Sequence, residues 1–226
     1  MDEQHEPQPT AEPKPYRVEV VVDAPYETVW AVLTEPDRIG EWFGWEYDGL
    51  ADEIEHIFVA HAERFPPDRI ALELGQELQV IADGERTIVR AVSPGALDGE
   101  QAGTYDVVEE GWRSFLEQLR YLLDRRPALP RRTVRLTGTA SGQQLLAVLD
   151  GAGAKERWHD STYQRMVVDA DGRLLVAAAE APLDSGETTP VSLVVNAYGL
   201  AGAERERLAG EWLERWRSGV PDGKEE

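Results

Sequence analysis

The residues of this chain best suited to chemistry are few, and their spacing limits what they can do. His56 and His61 lie five apart. A regular strand sends such a pair to opposite faces, and a regular helix misses the i, i+4 spacing of a zinc-binding helix, so no shared metal is expected. His159-Asp160-Ser161 sets three triad residue types side by side. A triad, however, is assembled in space from separate elements, and turn or cap chemistry is the plainer use of such a run. Asp150-Gly151-Ala152-Gly153-Ala154-Lys155 is glycine-rich but has neither the spacing nor the Lys-Ser/Thr ending of a P-loop. There is no Gly-x-Ser-x-Gly elbow and no dinucleotide fingerprint. With no cysteine, disulfides, thiolate ligands and thiolate nucleophiles are excluded. There remain Glu55, His56, His61, Arg64, Arg69 and Arg90. Any of these pointing into an apolar cavity could orient a ligand or serve as a general base for an aldol-type cyclisation; on the other face they are solvated surface. No catalytic residue, metal or cofactor is expected.

The elements that must position these residues are legible from periodicity. Val18, Val20 and Val22 alternate as a half-buried strand that ends at Asp23-Ala24-Pro25, and Val29, Trp30, Val32 and Leu33 form the apolar face of the helix that follows. A short helical piece is expected around Asp37 to Phe43. The runs Ile54–Phe65, Arg69–Leu74, Glu77–Ala82 and Arg86–Val92 read as an antiparallel meander, with Asp83-Gly84 as a two-residue hairpin turn. Tyr105 to Arg125 is the clearest helix, with Val108, Trp112, Phe115, Leu116, Leu119, Leu122 and Leu123 on one stripe. That stripe needs an apolar partner, and the meander supplies it. Arg113, Glu117 and Arg120 then fall on the water side.

An offset of 116 residues places Val18 on Val134, Ala24 on Ala140, Ala31-Val32-Leu33 on Ala147-Val148-Leu149 and Trp42 on Trp158 without a gap. Strands follow near Tyr163–Val168, Arg173–Glu180 and Pro190–Tyr198, with Asp171-Gly172 as a hairpin turn, before a last helix at about Ala203–Arg217. The expected organisation is a disordered tail at 1–15, a full unit at 16–127, a shortened second unit at 132–218 that has lost sheet, and a disordered tail at 219–226.

Charge bounds the partners. The formal charge of −20, from 43 acidic and 23 basic residues, repels phosphate backbones and anionic lipid. Nucleic acid is therefore excluded as an expected partner. No apolar run approaches the ~20 residues that span a bilayer, and the opening residues carry no leader-like apolar stretch, so a cytoplasmic protein without membrane insertion is expected.

Taken in order, Val20-Val21-Val22-Asp23-Ala24-Pro25 running into Val29-Trp30, then Glu41-Trp42-Phe43, Arg64-Phe65-Pro66-Pro67-Asp68-Arg69-Ile70, and Glu110-Gly111-Trp112 with Phe115-Leu116 and Leu119 carry a resemblance. Residues 17–126 resemble the activator-of-heat-shock-ATPase-homologue branch of the START-like (SRPBCC) superfamily. The resemblance implies an α+β helix-grip fold, in which a curved antiparallel sheet grips a long C-terminal helix around a cavity. That cavity takes apolar molecules in many relatives. The candidate lining is Trp30, Trp42, Phe43, His56, Phe58, Arg64, Arg90, Trp112, Phe115, Leu116 and Leu119, although aromatic stripes at helical spacing also serve simply as core. Three functions are compatible with it: binding of a small apolar ligand, a chaperone- or protein-interaction module, and a polyketide-cyclase-like enzyme.

Overall fold

In the computed structural model, residues 14–95 and 103–226 are described. The first thirteen residues of the expected N-terminal tail and the centre of the glycine-containing loop after Ser93 lie outside them.

The N-terminal half opens with β1 (Tyr16–Val22), whose residues alternate buried and exposed, so one face of its sheet meets the core and the other meets water. After it come α1 (Tyr26–Thr34), α2 (Pro36–Ile39), α3 (Leu50–Ile54) and a π-helix, Glu55–Ala60. The strands β2 (Glu63–Phe65), β3 (Arg69–Ala71), β4 (Glu77–Asp83) and β5 (Arg86–Ser93) complete an antiparallel sheet in the order β1-β5-β4-β3-β2. The expected hairpin at Asp83-Gly84 is present, with Asp83 paired to Arg86 and Gly84 at φ +66°. Helix α4 (Val107–Arg125) then crosses the buried face. Asp106 caps it by accepting from the backbone N–H of Val108 and Glu109, and Arg126 closes it in the left-handed region.

The C-terminal half repeats this connectivity. β6 (Arg131–Ser141) leads into α5 (Gly142–Asp150), and β7 (Glu156–Asp160), β8 (Gln164–Val168), β9 (Leu174–Ala179) and β10 (Thr188–Tyr198) precede α6 (Gly202–Gly219). With β11 (Lys224–Glu225) the sheet order is β11-β6-β10-β9-β8-β7. Apart from β11, each sheet pairs its first strand with its last and then runs back through the meander. The 116-residue offset superposes the bounds of α1 on those of α5, but it does not hold for Trp42 and Trp158, which lie after α2 and within β7 respectively.

Three expectations require correction. The second half has not lost sheet: what is shorter is the connection after α5, which has no counterpart of α2, α3 and the π-helix. Residues Ile54–Phe65 are not a strand; only the last three are. Leu50, Ile54, Ile57 and Phe58 fall at helical spacing onto the first core, and this tertiary cover decides an apolar run whose local sequence suits either state. The last residues are not a loose tail either. Val220 is fully buried, β11 extends the edge of β6, and Gly223 lies so close to Trp216 that an added Cβ would stand 2.3 Å from its Cδ1.

The layers are sheet, α4, sheet, helix pair. Trp112, Leu116, Leu119 and Leu123 on one side of α4 join the first core, where Trp42 is fully buried and donates its indole N–H to the Val32 carbonyl at 3.2 Å. Tyr121, on the other side, packs with Met166, Val168, Leu174 and Val176 of the second sheet. Leu175 and Ala177 point instead to the α5/α6 core with Trp212 and Trp216. A sheet covered on both faces explains why β9 reads as the unbroken apolar run Leu-Leu-Val-Ala-Ala-Ala.

Consequently the expected water side of α4 is an internal surface. Glu117 is only 6% exposed. One of its carboxylate oxygens faces His159 Nδ1 at 3.0 Å, and the other accepts from Arg120 Nε at 2.7 Å. Arg120 donates to the Trp158 carbonyl and lies over that indole, and Arg113 folds back onto Glu109 and Glu110.

Candidate functional site

A cavity of about 700 Å³ lies between the two halves rather than inside the first sheet's grip. One wall is the start of α4, from Val107 through Glu110, Trp112 and Phe115 to Gln118. A second comes from Phe43, Gly44, Trp45, Ile57 and the segment Leu72–Leu74 with Gln76. The outer face of the second sheet, through Val176, Ala178, Ser192 and Val194, closes the third side. Alternation along β9 makes this possible: Leu175 and Ala177 face the helices, which leaves Val176 and the small Ala178 towards α4.

Of the residues expected to line a cavity, Phe43, Trp112 and Phe115 do so. Trp42, Phe58, Leu116 and Leu119 instead fill the space between sheet and helix, each 2% exposed or less. Edge-to-face contacts of Trp42 with Phe43 and Phe58, and of Phe43 with Phe58, leave no room there for a ligand. Trp30 stacks on Tyr26. Arg64 donates to the Thr34 carbonyl at 2.7 Å, Arg90 pairs with Glu19 on the solvent face, and His56 is exposed beside Glu73. None of these four reaches the cavity. The aromatic stripe is therefore core for most of its length and lines the cavity only at its N-terminal end.

The polar groups at the cavity escaped the sequence reading. Gln76 accepts from the Trp112 indole at 2.9 Å and from the Tyr16 hydroxyl at 2.5 Å. Gln164 donates to the Glu110 carbonyl at 2.6 Å and accepts from Ser114 at 3.1 Å. Arg135 lies 4.0 Å from the Trp45 ring centroid and pairs with Glu226. Burial pushes its guanidinium below the usual arginine value. Glu110 is the most distinctive. One of its oxygens accepts from Arg113 at 3.2 Å, while the other is buried with no hydrogen-bond partner. Desolvation raises its carboxyl above the ordinary value despite Arg113. A signal was available in the second stripe of α4, where Glu110, Ser114, Glu117 and Tyr121 recur at three- and four-residue spacing.

Because Glu110 binds its proton more readily folded than unfolded, its contribution to stability is fully present below the ordinary value of 4.5 and is lost as pH rises through the higher folded value. Glu110→Gln is expected to remove that loss. Its stability relative to the parent should grow between about pH 4 and pH 8 in urea unfolding, whereas a pH-independent difference would show that the carboxyl is not desolvated.

No protein-family model matches the sequence, and no curated protein matches it. Solved structures do. DynU16, from the dynemicin biosynthetic locus, is 17% identical over 92% of this chain and 97% of its own, with a TM-score of 0.33. The di-domain ARO/CYC protein BexL, from the BE-7585A biosynthetic pathway, is 15% identical over 91% and 95%, with a TM-score of 0.35. An AHSA1-like protein from Rhizobium etli is 25% identical over 51% of this chain and 86% of its own, with a TM-score of 0.34. Among the described residues no helix is long and apolar enough to cross a membrane. The chain has the α+β architecture expected from its sequence, with an antiparallel sheet and a long helix laid across it in each half, and the solved structures it is similar to include an AHSA1-like protein and a di-domain ARO/CYC protein.

Proposed function

We propose that this protein binds a small, largely apolar molecule in the cavity between α4 and the second sheet. The observation that carries the reading is the composition of that cavity. Aromatic and aliphatic side chains (Phe43, Trp112, Phe115, Val176, Val194) form most of its surface, and a few fixed polar groups (Gln76, Glu110, Gln164) supply direction. Its volume suits a drug-sized, multi-ring ligand. Glu110 borders the cavity with one carboxylate oxygen buried and unpaired. A second reading, that of a cyclase-like enzyme, is favoured by this same group, since a buried carboxyl with a raised proton affinity is suited to general acid–base work.

The test is titration with Nile red, a neutral apolar fluorophore. The parent protein should show saturable binding of one dye per chain. Ala178→Trp, which fills the cavity from the sheet side, should weaken binding at least about tenfold, equivalent to about 1.4 kcal/mol. Equal affinity in a variant with unchanged thermal unfolding would place the dye elsewhere and overturn the reading.

A further inference from the structure

We infer that His56, His61 and Glu73 form a binding site for a single divalent cation of the zinc class. Their ligand atoms all lie within 4.8 Å of one another. His56 Nε2 stands 3.2 Å from one Glu73 oxygen, and His61 Nδ1 stands 2.9 Å from the other. The two imidazole rings lie side by side, with centroids 4.3 Å apart. Metal–nitrogen and metal–oxygen bonds of about 2.0–2.2 Å in tetrahedral geometry put neighbouring ligands about 3.3 Å apart, so the triad needs only a small closure of exposed side chains.

The backbone explains how a five-residue spacing achieves this. On an α-helix, positions i and i+5 are about 140° apart around the axis. Glu55–Ala60 is instead a π-helix, in which the His61 N–H bonds to the His56 carbonyl at 3.1 Å, an i to i+5 bond that stacks the two residues on one face. The wider turn thus overturns the argument that these histidines cannot share an ion. Glu73 arrives from the 3-10 turn Glu73–Gly75, where Leu74 is held at φ +56°, a region non-glycine residues seldom adopt. Two imidazole nitrogens and one carboxylate oxygen suit Zn²⁺ or its neighbours, whereas Mg²⁺ and Ca²⁺ prefer an all-oxygen shell. Three protein ligands leave a fourth position for water or another oxygen. Because Glu73 also lines the cavity, the ion would stand at its rim. The inference does not depend on the ligand-binding proposal.

The experiment uses the untagged full chain and ZnCl₂, with isothermal titration for affinity and imidazole ¹⁵N–¹H NMR for location. The chain has only four histidines, which makes the rings separable. One Zn²⁺ per chain should bind and shift the His56 and His61 rings, while MgCl₂ at the same concentration shifts neither. His56→Asn, His61→Asn and Glu73→Gln should each weaken binding by about tenfold or more, since loss of even an outer partner of a metal costs that much. All three positions are exposed, so the variants should fold, and amide spectra check this directly. Absence of binding to the parent chain, shifts confined to His5 or His159, or unchanged affinity in all three variants would overturn the assignment.

Discussion

Replacing Arg131 with Met is expected to destabilise the protein by about 2–6 kcal/mol in urea unfolding, at about 1–3 kcal/mol for each buried carbonyl left unpaired. The Arg131 guanidinium is buried where the two halves meet. Its Nη2 donates to the carbonyls of Phe43 at 2.6 Å and Gly40 at 3.1 Å. Its Nη1 is shared among the Trp42 and Gly44 carbonyls, Gln118 of α4 and Asn196 of β10. Gln118 also donates to the Trp42 and Gly44 carbonyls, so those two keep a partner when Arg131 is lost, and Phe43 and Gly40 carry most of the effect. Burial lowers the guanidinium value to about 10, which still leaves it charged at neutral pH. Its hydrogen-bond partners are neutral oxygens on several segments that a fork of donors reaches together, so Arg131→Lys should recover less than half the loss. An unchanged midpoint for Arg131→Met would mean that the hydrogen bonds only repay desolvation.

Glu117→Ala is expected to cost about 2–4 kcal/mol, where a solvent-facing position would cost less than about 0.5. The carboxylate is enclosed between α4 and β7, with Arg120 on one oxygen and His159 on the other. Its loss leaves a cation without its counter-charge beneath Trp158. The figure lies towards the low end for a broken buried pair because the Arg120 side chain keeps 26% exposure. Glu117→Gln should recover part of the loss through hydrogen bonding. A melting temperature within a degree of the parent for Glu117→Ala would show that the second sheet does not seal this face of α4.

The periodic elements were legible from local pattern because a face buried against one neighbour leaves a clear repeat. β1 and α6 are of this kind, whereas the Asp83-Gly84 and Asp171-Gly172 turns were legible from their turn residues and α4 only through the stripe it lays on the first core. The candidate site was legible only at Phe43, Trp112 and Phe115. A stripe pattern identifies side chains that leave water, and packing then decides whether they meet one another, as Trp42 and Phe58 do, or border a void.

By itself, the sequence determined the order of most strands and helices outside Leu50–Ala60, and the antiparallel pairing enforced by short turns. Both are set by interactions within a few residues or by the period of burial. The tertiary structure alone decided the rest. It made Leu50–Ala60 helical by offering Leu50, Ile54 and Phe58 a core, and it opened a π-turn that brings His56 to His61. It also laid the charged side of α4 on a second sheet, so that Glu110 and Glu117 are internal. Both outcomes depend on what stands opposite a side chain, and that partner comes from tens of residues away: β7 begins about thirty residues beyond α4, and no local periodicity records it.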